Sequence, residues 1–379
     1  MSEDNGLGEH AGMTSKRDFL QAGSWIALAA ITSLARFPAR AADAPWRLKP
    51  VFVPGLSSPE DMDLIPDTPW VITSSWHAPA KPGSPPAKEV RTFFVNTETR
   101  ASRSAFPDNC IFDLDKARFG DIEPPTNINF HGLDVAKGPD GKIVLYQVNH
   151  KGNAPPGGGR ESIEVFEIEM TSAGPSLRWR GAIPLPSWVS ANDCCALPEG
   201  GVAVTNSSFG GAEDFPAMMA GRISGNVIEW HNSTEGWDVV EGTDLNCPNG
   251  IAVSPSGEYY FICSSAAKAL HRVSRKAPHS DRSTLDLGAM PDNVTWTADG
   301  YLLVAATPGD MAEMAKAAVA GKARSGCRVL KVDPKTLSME ALFQAPPGEG
   351  FVSAVLQVRP DEIWFATVGL DDKLIAYRR

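Results

Sequence analysis

The sequence lacks the short signatures that mark several large classes of enzyme. It contains no G-x-S-x-G, H-E-x-x-H or G-x-x-x-x-G-K-[ST] motif, which disfavours a serine hydrolase, a zinc protease and a nucleotide-binding enzyme. Its six cysteines form no C-x-x-C pair and show no Cys/His spacing typical of zinc. Basic residues are also in deficit: 35 Lys and Arg oppose 45 Asp and Glu, and the net charge of -10 argues against a nucleic-acid partner.

Long apolar runs are scarce as well, and the one that stands out lies near the N-terminus. Lys16-Arg17 precedes an apolar run at 25–34, and Ala39-Arg40-Ala41 follows it with the small-x-small pattern of a signal peptidase site. The stretch at 15–20 resembles a twin-arginine export signal with Lys in the first basic position. The run is about half of the roughly 20 residues that a membrane-spanning helix needs.

We therefore predict that residues 1–41 are a cleaved export signal and that residues 42–379 form a single soluble catalytic domain. The protein would then be periplasmic or secreted. An N-terminal membrane anchor is the alternative. Export permits disulfides, but the spacing of the cysteines does not select a pairing.

What the sequence does contain is a repeated strand–turn–strand unit. In one copy an apolar strand at 131–135 leads through Gly138-Pro139-Asp140-Gly141 into a second strand at 143–148. About six such copies follow one another at intervals of about 40 to 70 residues. Repeats of this period and content predict an all-β, six-bladed β-propeller, with an array of two-sheet sandwiches as the alternative.

Segments outside the repeat complete this prediction. Strands at 48–53 and 373–377 are expected to share one blade and so close the ring. Two segments, Gly210 to Arg222 and Asp310 to Arg324, are expected to be short helical lids over the mouth of the channel. Packing of the same two segments against the tops of the blades is the alternative.

The stronger repeats begin their first strand with a residue that can bind a metal or act as a base. In a propeller these strands line the central channel, so the side chains should converge despite their separation in sequence. Capping of local backbone would explain any single one of them, but not the same position in several repeats. Oxygen-rich side chains favour calcium over zinc. These residues are Glu60, Asp61, His131, Asn192, Asp193, Asn249, Asp292 and Asn293.

Six short motifs in this order carry a resemblance to a known family. They are Glu60-Asp61, Asn129-Phe130-His131-Gly132-Leu133, Val148-Asn149-His150, Asn192-Asp193, Asn249-Gly250-Ile251 and Asp292-Asn293-Val294. Together they resemble the serum paraoxonase/arylesterase family over roughly residues 50 to 379. Each motif alone is weak, whereas all six with this spacing are a specific signal.

The resemblance implies two calcium ions, one catalytic and one structural. The residues matching the catalytic ligands of the family are Glu60, Asn192, Asn249, Asp292 and Asn293. Asp61, Asp193 and the backbone carbonyl of Leu133 match the ligands of the structural ion. His131 matches the general base of the family, and His150 matches the histidine that supports it.

The sequence departs from the family in two places. Cys247 stands where the family often has an aromatic pocket wall, and the terminal disulfide of the animal enzymes has no partner cysteines here. The expected activity is calcium-dependent hydrolysis of lactones or aryl esters. Two alternatives remain open: a propeller enzyme of the gluconolactonase or strictosidine-synthase type, and a non-catalytic propeller that binds partners through its faces.

Overall fold

Nearly all regular structure in the described part of this protein is β-strand. A computed structural model describes residues 47–76, 91–125, 128–138, 140–150, 160–210, 215–231, 236–313, 326–345, 352–368 and 373–379, which all belong to one compact unit, Ala44–Arg379. The predicted export signal at 1–41 lies outside these residues, as does most of the second predicted lid at 310–324. No helix in the described ranges has the length and apolar character needed to cross a membrane.

The first half of the described chain contains the following elements: β1 (Arg47–Val53), β2 (Pro59–Leu64), β3 (Trp70–Ser75), β4 (Thr92–Asn96), β5 (Ser102–Phe106), β6 (Cys110–Phe112), α1 (Lys116–Phe119), β7 (Phe130–Lys137), β8 (Ile143–Asn149), β9 (Ser162–Thr171), β10 (Gly174–Pro184), β11 (Ala191–Ala196) and β12 (Val202–Asn206). The second half contains α2 (Phe215–Met219), β13 (Asn226–Trp230), β14 (Asp238–Val239), β15 (Pro248–Val253), β16 (Tyr259–Ser264), β17 (Ala269–Ser274), β18 (Arg282–Asp286), β19 (Met290–Trp296), β20 (Leu302–Thr307), β21 (Cys327–Val332), β22 (Met339–Ala345), β23 (Ala354–Arg359), β24 (Glu362–Ala366) and β25 (Leu374–Arg378).

These strands form six sheets in the described part of the chain, which are the blades of a propeller. Blade 1 is β2 to β5, blade 3 is β11 to β14, blade 4 is β15 to β18, and blade 5 is β19 to β22. Blade 2 is β7 to β10 with the short β6 added in parallel at its outer edge. The first strands of successive blades contact one another in a closed ring, so they line the central channel. The six-bladed propeller predicted from the sequence is confirmed.

Blade 6 combines the two ends of the described chain. Its order is β23, β24, β25 and then β1, and β1 pairs antiparallel with β25 through Val51 and Ala376. The expected sharing of one blade by the terminal strands is therefore confirmed. This pairing covers an edge that would otherwise be open to other chains.

Apolar side chains fill the spaces between blades. Ile72 and Phe94 of blade 1 pack in one cluster with Phe166 and Trp179 of blade 2. In the same way Leu270 of blade 4 shares a cluster with residues of blade 5. Strands such as β20 are buried along their whole length. Each blade therefore depends on its neighbours for a core, which is the physical reason for the repeated sequence pattern.

Five of the six inner strands share a local irregularity that determines the site. In each of them the pairing with the second strand shifts register within the first few residues, as a β-bulge does. The shifts lie between Pro59 and Met62, Phe130 and Leu133, Ala191 and Cys194, Pro248 and Ile251, and Pro291 and Val294. In blade 6 the shift lies instead near the end of β23, between Gln357 and Arg359.

The helices are short. α1 begins after Asp115, whose side chain accepts a hydrogen bond from the backbone of Arg118. α2 falls within the first predicted lid, and the side chain of Asn246 donates to the carbonyls of Met218 and Arg222. This contact ties the segment to the loop that enters β15. Its action as a lid stays a prediction.

Candidate active site

The polar residues predicted to meet in the channel all lie in the bulges of the inner strands. In a regular strand neighbouring side chains point to opposite faces, and one of each pair would face the apolar space between blades. A bulge redirects side chains locally, so both members of a pair can reach the channel. The bulges contain Glu60-Asp61 in β2, His131-Gly132 in β7, Asn192-Asp193 in β11, Asn249-Gly250 in β15 and Asp292-Asn293 in β19.

Two glycines allow neighbouring inner strands to approach closely at this level. A Cβ atom on Gly132 would lie 2.5 Å from the Cα of Asp193 and 2.2 Å from its Oδ1. A Cβ atom on Gly250 would lie 2.5 Å from the Cα of Asn293. Real Cβ contacts are never this short, so any other residue would push the polar strand of the next blade away. The sequence motifs contain both glycines but do not reveal this role.

The polar side chains form two groups, and the first joins strands across the channel. Its members are Glu60, Asn192, Asn249, Asp292 and Asn293. Asn293 Nδ2 donates to Glu60 Oε1 at 3.0 Å, which links blades 5 and 1. Asn249 hydrogen-bonds to the carboxyl of Asp292 and donates to Ser265 Oγ at 3.0 Å. Glu60 and Asn293 are buried, whereas Asn249 and Asp292 are half-buried, as expected for residues at the mouth of a channel.

Four side-chain oxygens of this group are buried without a hydrogen-bond partner. They are Glu60 Oε2, Asn192 Oδ1, Asn249 Oδ1 and Asn293 Oδ1. A buried acceptor without a partner costs about 1–3 kcal/mol, and these four lie in the bulged inner strands of four blades. A cation bound among them would offset this cost. Within the described ranges no group of three His, Cys, Asp or Glu side chains could hold a metal, so a cation here would depend on amide oxygens.

The second group consists of Asp61 and Asp193, which directly follow Glu60 and Asn192 in β2 and β11. Asp61 accepts hydrogen bonds from the backbone N–H of Met62 at 2.8 Å and of Leu133 at 2.9 Å. Asp193 accepts from Cys194 at 2.7 Å and from Ile251 at 2.8 Å. Each aspartate therefore fastens its own blade to the next one around the ring. Asp61, Leu133 and Asp193 line a common cavity of about 240 Å³, so the structure brings together the predicted set for the structural ion.

Crowding and burial raise the pKa values of these carboxyl groups. Burial raises the pKa of Glu60 well above its usual value, and the charges of Asp61, Asp292 and Asp193 add to the effect. Burial raises the pKa of Asp61 and of Asp292 to about 7. Burial and then the charge of Asp61 raise the pKa of Asp193. A nearby positive charge would favour the ionised forms of these carboxyl groups.

A further acidic pair lies in the same cavity and was not predicted from the sequence. Asp63 and Asp134 share a side-chain hydrogen bond, and burial raises the pKa of both. Asp63 Oδ2 accepts from the backbone N–H of Val135 at 3.0 Å, and Asp134 Oδ2 accepts from that of Ala196 at 2.6 Å. These two bonds also join neighbouring blades: Asp63 joins blade 1 to blade 2, and Asp134 joins blade 2 to blade 3.

The two predicted histidines contact each other beside the first polar group. His131 Nδ1 lies 3.0 Å from His150 Nε2, and His131 Nε2 lies 3.7 Å from Glu60 Oε1. The ring of Trp76 stacks on His131 with centroids 5.0 Å apart. Burial, and then the neighbouring His150, lower the pKa of His131 well below its usual value. His131 is therefore neutral near pH 7 and can accept a proton.

Sequence analysis missed two residues of this histidine cluster. Trp76 follows β3 and orients the His131 ring, and Glu161 Oε2 lies 2.8 Å from His150 Nδ1. Glu161 can be recognised only from the register between β8 and β9, because that register places it beside His150. Cys247, noted as a departure from the family, is buried and has a backbone φ of +51°. All six cysteines carry free thiols.

The structure thus combines a six-bladed propeller with a polar, oxygen-rich site in its channel. The chain belongs to the arylesterase family, whose sequence profile matches residues 55–341. The predicted resemblance to the paraoxonase/arylesterase family is thereby confirmed. No curated protein sequence matches this chain significantly.

Solved structures share the fold at low sequence identity. A gluconolactonase from Xanthomonas campestris is 14% identical with a TM-score of 0.50, covering 87% of this chain and 89% of that one. A candidate gluconolactonase is 15% identical with a TM-score of 0.51, covering 88% and 93%. A luciferin-regenerating enzyme is 12% identical with a TM-score of 0.50, covering 86% and 94%. At these identities the likeness shows the propeller fold alone.

Proposed function

We propose that this protein is a calcium-dependent hydrolase of lactones or aryl esters. One observation carries the proposal: four buried side-chain oxygens without partners lie in four different blades, beside a neutral histidine. A binding protein without activity would not need the histidine pair, and a purely structural ring of acids would not leave so many oxygens unsatisfied. Membership of the arylesterase family supports an ester or lactone as the substrate.

The residues fit two calcium ions. Calcium takes six to eight oxygen ligands, from carboxylates, amides, carbonyls and water. The first ion would be held by Glu60, Asn192, Asn249, Asp292 and Asn293, whose unpartnered oxygens and raised carboxyl pKa values both suit a cation. The second ion would be held by Asp61, Asp193 and the carbonyl of Leu133, which line one cavity.

The reaction is addition of water to an acyl carbonyl, followed by cleavage of the carbon–oxygen bond to the leaving group. Calcium at the first site would supply a positive charge that polarises the carbonyl and stabilises the developing oxyanion. His131 would accept the proton of the attacking water at Nε2, which faces Glu60 and the polar group. The proton then passes to the leaving oxygen, so the acid and the alcohol form with no net change in the enzyme.

Other residues position the base. His150 contacts the second nitrogen of His131 and can share the charge that develops there. Trp76 limits rotation of the His131 ring by stacking on it. General-base assistance of this kind contributes about 10²- to 10⁴-fold to the rate. The remainder would come from the positive charge and from positioning.

The cellular setting forms part of the same proposal. The N-terminal segment at 1–41 has the composition of an export signal, so we infer that the mature enzyme acts in the periplasm or outside the cell. Millimolar or micromolar calcium outside the cytosol would keep such sites filled. The partner would be a small lactone or ester, without nucleic acid.

A substrate panel tests the proposal. Aliphatic lactones, a sugar lactone, aryl esters and phosphotriesters are assayed with excess calcium, and again after chelation and return of calcium. We expect hydrolysis of at least one lactone or aryl ester, its loss on chelation and its recovery with calcium. Activity that survives complete removal of calcium would refute the role of the metal. No turnover of any compound would favour the non-catalytic alternative.

A further inference from the structure

The histidine pair does not end at His150. His150 Nδ1 lies 2.8 Å from Glu161 Oε2, so a carboxyl group completes a chain of three side chains that starts at the channel. The exposed fraction of the side chain increases outward along this chain, from 12% at His131 and 17% at His150 to 27% at Glu161. Glu161 thus stands between the half-buried histidines and solvent.

The sheet explains why these side chains meet. β8 and β9 pair antiparallel, with Asn149 opposite Ser162 at the end of the ladder. His150 follows Asn149, and Glu161 precedes Ser162. His150 and Glu161 therefore face each other where the loop between β8 and β9 begins and ends. Their backbones are fixed as well: the N–H of His150 donates to the carbonyl of Asn129 at 3.1 Å, and the carbonyl of Glu161 accepts from Leu185 at 3.0 Å.

With Glu161 ionised and both histidines neutral, the hydrogen bonds of this chain have one consistent arrangement. An ionised carboxylate only accepts, so Nδ1 of His150 must carry a hydrogen and donate to Glu161. A neutral His150 then has its lone pair on Nε2, which accepts from Nδ1–H of His131. His131 is left with a lone pair on Nε2, the nitrogen that faces Glu60 and the channel.

We propose that Glu161 is a positioning residue that fixes the tautomers of both histidines and so keeps the basic nitrogen of His131 directed at the substrate. It touches neither substrate nor metal and acts through His150. This inference rests on the proposed hydrolase function for its kinetic consequence. The tautomers themselves are a property of the folded protein and can be measured without any substrate.

The primary test is the Glu161→Gln variant in the full-length protein loaded with calcium. Glutamine keeps the size of the side chain but can present either a donor or an acceptor to His150, so the tautomer is no longer fixed. Long-range 1H–15N spectra of protein labelled at histidine report which ring nitrogen carries the hydrogen, and the His131→Gln and His150→Gln variants assign the signals. In wild-type protein we expect hydrogen on Nδ1 of both rings. In Glu161→Gln we expect a mixture of tautomers at His150.

Kinetics with the best lactone provide the second readout. We expect kcat of Glu161→Gln to fall about 10- to 100-fold, the range typical of residues that orient a catalytic group through another one. KM should stay within about twofold, because no substrate contact is lost. Glu161→Asp, which keeps the carboxylate, should recover part of the kcat and the wild-type tautomer, and it also serves if the glutamine variant does not fold.

Glu169→Gln is the matched control. Glu169 lies on the same strand β9, is paired with Arg178 on the outer part of the blade, and is remote from the histidines in sequence. Its spectra and kcat should match those of wild type. The proposal is overturned if Glu161→Gln keeps the wild-type tautomers, or if the tautomers change and kcat does not. If the wild-type protein hydrolyses nothing, the proposed function fails, and the spectra still decide whether Glu161 sets the tautomers.

Discussion

The proposed calcium sites predict that removal of calcium reverses the dependence of this protein's stability on pH. A carboxyl group whose pKa is higher in the folded than in the unfolded state binds its proton more tightly when folded. Its contribution to stability is complete below the unfolded pKa and is lost as the pH rises through the folded pKa. Asp61 and Asp292 have a folded pKa of about 7 against an ordinary value of 3.8. The calcium-free protein should therefore lose stability between about pH 4 and pH 7.

The calcium-bound protein should behave in the opposite way. In the proposed calcium complex the ligands would be ionised and paired with the metal, and calcium binding would displace protons below about pH 7. Raising the pH therefore strengthens calcium binding and stabilises the folded state by mass action. The two curves of unfolding free energy against pH should separate as the pH rises.

The structure gives the size of the effect. The pKa of Asp292 rises from 3.8 to about 7 on folding, which corresponds to roughly 4 kcal/mol at about 1.4 kcal/mol per pH unit. Because the charge of Asp61 contributes to the pKa of Asp292, the effects of the two residues do not add. Even one such contribution is a large part of the roughly 5–15 kcal/mol that stabilises a typical domain.

Urea unfolding at pH 5, 6.5 and 8, with chelator or with excess calcium, measures the effect. Glu60→Gln sharpens the test, because its amide oxygen can still accept from Asn293 while the ionisable group is gone. At pH 8 this variant should be more stable than wild type in chelator and less stable in calcium. Glu169→Gln, which removes a half-buried carboxylate paired with Arg178, should change stability by the same small amount in chelator and in calcium. A calcium-free wild type that gains stability from pH 5 to pH 8 would refute this reasoning.

Three further predictions follow from the same site. Asp193→Ala should lower the melting temperature more than Asn249→Ala, since Asp193 accepts from two backbone N–H groups and Asn249 lies at the channel mouth; thermal melts in the reverse order contradict the two-group assignment. His131→Gln should lower lactone turnover about 10²-fold or more without loss of bound calcium, as metal analysis and kinetics can show, and wild-type turnover would refute the role of His131 as general base. Gly132→Ala should destabilise the protein by more than about 2 kcal/mol in urea unfolding, because its Cβ would collide with the backbone of Asp193.

Much of the fold was predictable because the propeller repeats one physical requirement. Each blade must be apolar on both faces, so strands such as β20 appear as continuous apolar runs between turn residues. The closure of the ring was predictable for a related reason, since the strands at 47–53 and 374–378 each needed a partner. The role of the segment at 310–324 was not decided in this way, because most of it lies outside the described residues.

The site divides into a part that sequence reveals and a part that it conceals. Side chains that meet because they occupy equivalent positions, such as Glu60 and Asp292, can be found by aligning the repeats. Side chains that meet through local register cannot. Glu161 reaches His150 only because β8 and β9 end with Asn149 opposite Ser162, and a shift by one residue would turn it to the other face.

An adjacent polar pair such as Glu60-Asp61 indicates a β-bulge as well as a polar site. Glu60 and Asp61 are 2% and 4% exposed, so both members of the pair are buried, although a regular strand would place one of them in the apolar space between blades. An unpaired carboxyl in that space would cost several kcal/mol. Such a pair in an otherwise apolar inner strand therefore requires a bulge. It follows that one bulge supplies both polar groups: Glu60 reaches the group at the mouth with the unpartnered oxygens, and Asp61 reaches the group that fastens the blades together.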